Sequence, residues 1–206
     1  MSSVPRRPTR RQQQAAETRR LIVAAARRLF ATQGYAATSI AEIAEEAGVA
    51  VPTIYASVGP KPRLVQLLND LIDDEAGVGE IARTMATARD GPSIVAAGVG
   101  LTRRLNERCG DIIAAMTSAA ASEPDVAIGV AEGMRRHWQG TRGLVQRLSA
   151  IGALRPGLDA EEAATAWALL TAPASYAFLT QAAGWSFDQC EAWLVKTLAE
   201  ITLAAP

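Results

Sequence analysis

Between Gly34 and Pro60 the chain is cut by glycine and proline into segments so short that only small helices and tight turns fit them. Ser39-Ile40-Ala41-Glu42 has the form of a capping box, in which serine and glutamate satisfy the first free amides of a helix reciprocally. Ile40, Ile43, Ala44 and Ala47 follow at the i, i+3, i+4, i+7 spacing of one helical face. That helix ends at Gly48. Pro52 then stands where only the first turn of a further helix accepts proline, and Ile54 and Val58 give that helix a short apolar face. Gly59-Pro60 breaks the chain again.

The flanks obey the same period. A first helix is expected from about Glu17 to Gln33, with Leu21, Ile22, Ala25, Ala26, Leu29 and Phe30 on one face and Gly34 closing it. A fourth begins near Lys61 and carries Leu64, Leu67, Leu68, Leu71 and Ile72. Beyond it the spacing predicts longer helices near 92–106, 108–121 and 124–151. Asp159-Ala160-Glu161-Glu162 and Ser186-Phe187-Asp188-Gln189 repeat the capping-box pattern, placing helices at about 159–183 and 186–203. Pro173 should kink the first of these. No strand-like alternation is sustained, so the fold class is all-α: a three-helix N-terminal domain followed by a larger helical domain.

The net charge of zero conceals a split. Residues 1–63 hold ten basic groups against four acids, a balance of +6, which leaves −6 on the remainder. A basic end on an acidic body points to a polyanion partner at the N-terminus. Residues 1–14 read as a disordered basic arm with Arg6, Arg7, Arg10 and Arg11, residues 15–63 as a nucleic-acid-binding domain with its motif at about 39–58, and residues 64–206 as the body.

Short helix, glycine turn, short helix is the arrangement that lets a second helix enter a DNA major groove while the first braces it. The second helix offers Val51, Pro52, Thr53, Tyr55, Ala56 and Ser57. The hydroxyls of Thr53, Tyr55 and Ser57 suit phosphate oxygens, and Val51, Pro52 and Ala56 suit thymine methyl groups. No Arg, Asn or Gln stands there to make a bidentate contact to a base.

The run from Thr18 to Phe30, Gly34-Tyr35, Thr38 to Ala44, Ala47-Gly48-Val49, Thr53-Ile54-Tyr55 and Lys61 together resemble the N-terminal domain of TetR-type repressors. The resemblance implies that Thr38 or Ser39 meets a phosphate at the start of the second helix. It places Pro52 and Thr53 at the groove, and Tyr55 and Lys61 on phosphates. The chain departs from the family pattern after the tyrosine: Ala56, Ser57 and Val58 occupy the region where the family commonly has histidine and phenylalanine. Arg10 and Arg11 would add phosphate or minor-groove contacts from the arm.

In the body, Val126, Val130, Met134, His137, Thr141, Leu144, Val145, Leu148 and Ile151 form one stripe of a long helix. The resemblance implies a small-molecule effector held among the middle helices, with Met116, Met134, His137, Trp138 and Trp167 as candidate lining. An uncharged stripe suggests a mostly apolar effector. Trp167, Leu170, Ala174, Phe178, Trp185, Phe187, Leu194, Leu198 and Ile201 are the candidate homodimer interface, because two such terminal helices pair between subunits in TetR-like chains. A two-fold dimer would match a pseudo-palindromic double-stranded DNA operator.

Other chemistries are poorly supplied. His137 is the sole histidine, and Cys109 and Cys190 lack metal-ligand spacing, so no catalytic site, metal or cofactor is expected. Neither a membrane span nor a secretory signal is recognised, which suits the cytoplasm. Two other readings stay open: an architectural DNA-binding dimer without an effector, and a small helical enzyme.

Overall fold

The computed structural model describes residues 9–204, which are helical throughout apart from connections and one isolated bridge between Leu154 and Leu203. They divide into two compact units. One joins the described residues up to Leu68 to Ala114–Gly129; the other joins Asn69–Ile113 to the residues from Val130 onward. The sequence had suggested a single cut at 63/64. Three helices instead contribute residues to both units.

In the first unit, α1 spans Arg10–Gln33. Its start corrects two expectations, a helix beginning near Glu17 and a disordered stretch reaching residue 14. Thr9 and Gln12 form a capping box, Gln12 N donating to Thr9 Oγ1 at 3.3 Å and Thr9 N to Gln12 Oε1 at 2.8 Å. From there to Glu17 the chain holds only arginine, glutamine and alanine, all good helix formers. Arg6 and Arg7 lie outside the described residues. Ile22, Val23, Ala25, Ala26 and Phe30 are buried, whereas Leu21, expected beside them, is 41% exposed.

Next, α2 spans Ile40–Glu46 with the Ser39–Glu42 box intact, Ser39 N donating to Glu42 Oε2 at 2.7 Å and Glu42 N to Ser39 Oγ at 3.2 Å. Gly48 turns the chain at φ +68°, a conformation that costs any residue with a Cβ. Then come α3 at Val51–Ser57, with Pro52 in its first turn, and α4 at Lys61–Ala76. Ile22, Phe30, Ile43, Ile54, Leu64 and Leu68 are buried to within about one per cent and form the heart of this unit. The start of α7 approaches α4 closely here, since a Cβ on Gly129 would lie 2.3 Å from Val65 Cγ1.

The second unit departs more from expectation. Helix α5, Val78–Thr87, was not foreseen; Gly77 (φ +74°) serves as its N-cap. Helix α6 runs unbroken over Gly91–Ala119, where two helices were expected. Helix α7 spans Pro124–Ala150.

The expected kinked helix over 159–183 is instead three pieces: α8 at Ala160–Leu170, α9 at Pro173–Ala177, and a π-helical turn at Phe178–Ala182. Pro173 supplies no amide and forces Ala172 into extended backbone (ψ 151°), so it starts a helix rather than bending one. Asp159 caps α8 by accepting from the amides of Glu161 and Glu162. Helix α10, Phe187–Thr202, begins with the expected Ser186–Gln189 box.

The core of this unit gathers Ile94 and Val99 from α6, Leu144 and Leu148 from α7, Trp167 from α8 and Leu194 from α10. Gly98 permits the contact, for a Cβ there would meet Leu144 Cδ1 at 2.3 Å. Charged clips join the helices. Arg136 on α7 pairs with Asp70 at 2.9 Å and Asp73 at 2.7 Å on α4, and with Glu132 at 2.9 Å. Hydrogen bonds from Arg135 and Arg136 pull the Glu132 carboxyl down to about 2.

Candidate nucleic-acid interface and the helical body

Seven residues of α3 make about two turns, at 100° per residue. Because Ile54 is buried in the unit's core, the remaining positions sort by phase. Val51, Pro52, Tyr55 and Ala56 are exposed, Thr53 and Ser57 half-buried. Tyr55 is 54% exposed, far more than an aromatic ring buried for stability would be. The outward face of α3 therefore presents three apolar groups and a phenol, with two smaller hydroxyls at its margins.

The flanking candidates are placed differently from one another. Ser39 is exposed at the N-terminus of α2, its oxygen engaged by the amide of Glu42. Thr38 is buried, and its hydroxyl donates to Gly34 O at 2.8 Å while accepting from Gln33 Nε2 at 3.3 Å. Between the two alternatives for a phosphate contact, the exposed one is Ser39; Thr38 closes the turn after α1. Arg10 and Arg11 are exposed on the first turn of α1, and so belong to a helix rather than to an arm. Elsewhere, Arg20 is paired with Glu17 at 2.6 Å and Arg28 with Glu46 at 2.8 Å, which neutralises part of the basic charge of α1.

Lys61, the first residue of α4, is half-buried, and its Nζ stands 4.1 Å from the centroid of the Tyr35 ring. Burial lowers its pKa, and the charges of Glu123 and Glu42 work against that shift. Tyr35 is itself buried and packs against Phe30 with ring centroids 5.1 Å apart. The position of Tyr35 beneath Lys61 comes from the turn after α1, which no local periodicity reveals.

Residues 22–57 match the family model of bacterial regulatory proteins of the tetR family. This stretch is therefore similar to the N-terminal domain of the tetR family. Its helix-turn-helix is α2, the Gly48 turn and α3, and the matched residues end at Ser57, the last of α3. No curated protein matches the chain. Solved structures share the fold along nearly the whole length. A TetR transcriptional regulator from Chloroflexus aurantiacus is 22% identical, with 94% of this chain and all of that one covered and a TM-score of 0.69. A transcriptional regulator from Saccharomonospora viridis in complex with choline is 22% identical (92% and 100% covered, TM-score 0.71). The regulator FadR from Bacillus subtilis in complex with stearoyl-CoA is 16% identical (88% and 98% covered, TM-score 0.71). At such identities the likeness is one of fold.

In the helical body, the candidate effector residues do not form one group. Met116 is buried in the first unit, with its Cε 3.8 Å from where a Gly129 Cβ would be. The other four belong to the second unit. Met134 is 49% exposed and points away from the core, because the helical phase of α7 buries Leu144, Val145 and Leu148 instead. His137 is half-buried, with Nε2 3.0 Å from Ala168 O, which meets the need of a polar ring on that stripe. Trp138 packs against the core and Trp167 lies within it. The Trp167 indole N–H is buried and has no hydrogen-bond acceptor among the described residues. Nearby polar groups of the same unit are satisfied: Tyr176 Oη lies 3.2 Å from Thr102 Oγ1, and burial pushes the phenol up to about 12.

The candidate dimer residues divide by phase. Trp167, Leu194 and Leu198 are fully buried in the chain's own core, so the expectation that they meet a second subunit is corrected. Leu170, Trp185, Phe187 and Ile201 are half-buried; Ala174 and Phe178 are exposed. The sequence stripe missed the outward residues Leu169 (68% exposed) and Trp193 (37%). Trp185, Gln189, Ala192, Trp193 and Lys196 line a shallow open depression, with Trp185 and Trp193 meeting edge to face at 5.7 Å. Both cysteines are buried thiols, and burial pushes that of Cys190 up, away from the reactive thiolate. Among the described residues no cluster could hold a metal ion, and no helix is long and apolar enough to cross a membrane.

Proposed function

We propose that the chain is a cytoplasmic, homodimeric transcriptional repressor that binds a pseudo-palindromic double-stranded DNA operator and is released by a small, mostly apolar effector. The observation that carries the reading is the outward face of α3, which displays Val51, Pro52, Tyr55 and Ala56 inside the tetR-family domain. Four side chains of that size and chemistry, held on a short helix by a capped brace and a glycine turn, suit the major groove. Tyr55, Thr53, Ser57 and Ser39 supply hydroxyls for phosphates, Lys61, Arg10 and Arg11 supply charge, and the apolar members meet thymine methyls. Reading of bases by hydrogen bonds is weak on such a face, so DNA shape and apolar contact carry a larger share of specificity.

Dimerisation is supported by the large apolar side chains that the C-terminal elements leave exposed, Leu169, Phe178 and Trp193, which a partner surface would cover. Effector binding is supported by the unpaired Trp167 indole, because a buried donor left unsatisfied costs about 1–3 kcal/mol and a bound acceptor would recover it. Solved relatives of the fold hold choline in one case and stearoyl-CoA in another, so the fold accommodates ligands of unlike chemistry. The effector acts by favouring a conformation with low DNA affinity, a linkage between two sites.

Selecting bound duplexes from random DNA and then screening metabolites for release tests the proposal. Enrichment of an inverted repeat, lost on addition of an apolar ligand, is the expected result. Enrichment without release by any ligand leaves an architectural DNA-binding dimer, and no enrichment above non-specific binding removes the reading altogether.

A further inference from the structure

Lys61 is awkwardly placed for a surface cation. It opens α4, where the helix dipole repels positive charge, and it is half-buried, so that desolvation opposes its ionisation. The carboxylates of Glu42 and Glu123 act on it through their fields. The group that touches it is the face of Tyr35, 4.1 Å from Nζ to ring centroid. A ring face attracts an ammonium by its quadrupole without needing the cation's N–H groups in fixed directions. The ammonium is thus held at one place, with donors left over for an oxygen anion.

Tyr35 is in turn held. It is 7% exposed and rests against Phe30 in a tilted ring pair, and Phe30 is fixed in the core of the first unit. The ring face is what stands against the Lys61 ammonium. Lysine otherwise carries a flexible four-carbon stem whose ordering on contact with a phosphate costs entropy. A stem ordered in advance avoids that cost when DNA binds.

We infer that Tyr35 is a positioning residue for DNA binding: its ring face pre-sets the Lys61 ammonium for a backbone phosphate. This rests on the proposed DNA reading and extends it to a buried residue that cannot itself reach DNA. Because the contact is with a phosphate, its effect is the same on all sequences and appears in the salt dependence of affinity.

The test is a double-mutant cycle in the full chain, using a 30-base-pair duplex of the selected site and fluorescence anisotropy at several salt concentrations (duplex length about three helical turns, enough for two half-sites). Lys61→Ala lowers affinity and reduces the salt slope by about one. Tyr35→Leu lowers affinity by about threefold to tenfold with little loss of slope, since the charge remains but is no longer pre-set. Tyr35→Phe keeps wild-type affinity. In the Lys61→Ala background, Tyr35→Leu has no further effect, which separates positioning from damage to the fold, because damage persists in either background. Undiminished affinity of Tyr35→Leu, or an equal loss in both backgrounds, overturns the inference while leaving the DNA reading intact. If the wild-type chain selects no DNA, the reading fails first and the positioning role with it.

Discussion

The described residues of the N-terminal unit bury Thr38 and the Tyr35 phenol, whereas those of the second unit bury Asn69, Asn106, Thr141, Thr171 and Thr202, besides the Tyr176 phenol and the Trp167 indole. The first unit turns more of its polar chemistry to solvent, on α3; the second encloses more of it. That contrast matches the two tasks proposed for them. A groove reader needs a rigid apolar base with its contact groups outside. A ligand-responsive core needs interior groups able to exchange one partner for another, and it accepts some loss of stability for them.

The contrast makes the first unit the more sensitive to core truncation. Phe30→Ala removes a ring that is 1% exposed and undermines both Tyr35 and the α1 face; a loss of about 3–5 kcal/mol is expected by urea unfolding. Tyr55→Phe tests the outer face alone. Removing one charge-assisted hydrogen bond weakens DNA binding by about 1.5–3 kcal/mol on all sequences while leaving unfolding unchanged. If thermal unfolding shifts as much as binding, Tyr55 belongs to the fold and not to the interface.

Gly98→Ala makes the reverse probe in the second unit. Its added methyl meets Leu144 and Trp167, so a stability loss of about 1–3 kcal/mol is expected by calorimetry, with DNA affinity of the folded protein unaltered. Ser39→Ala removes the α2 cap and costs about 1 kcal/mol by the same measurement. The smallest effect concerns pH. Hydrogen bonds from Ser39 hold the Glu42 carboxyl below its ordinary range, so its contribution is present in full above the unfolded value and fades as pH falls through the lowered folded one. Denaturation of Glu42→Gln followed across that interval should converge with wild type on the acid side; a constant gap at every pH would assign the difference to packing.

How far the sequence disclosed all this depended on the range of the forces involved. The Ser39 and Ser186 boxes, the Gly48 turn and the proline at the start of α3 act within four residues, and each was found where local chemistry put it. The break expected near 107 did not occur: Asn106, Glu107 and Arg108 include no glycine or proline to end a helix, and α6 runs through them. Thr9 escaped notice because the basic residues around it read as a solvated tail. Helical phase was the weakest point. Leu194 and Leu198 face inward and Trp193 outward, and a stripe of large apolar residues cannot say which side meets the chain's own core. The same difficulty placed Met134 in the candidate pocket.

The most direct measurement is parallel selection of random duplexes by the wild-type chain and by Pro52→Ala. With α3 in the groove, the wild type enriches an inverted repeat with half-sites about 34–36 Å apart, and Pro52→Ala enriches altered bases at those half-sites. Enrichment by neither protein, or of one unchanged motif bound uniformly less tightly by the variant, would contradict the placement of α3 as the reader of DNA.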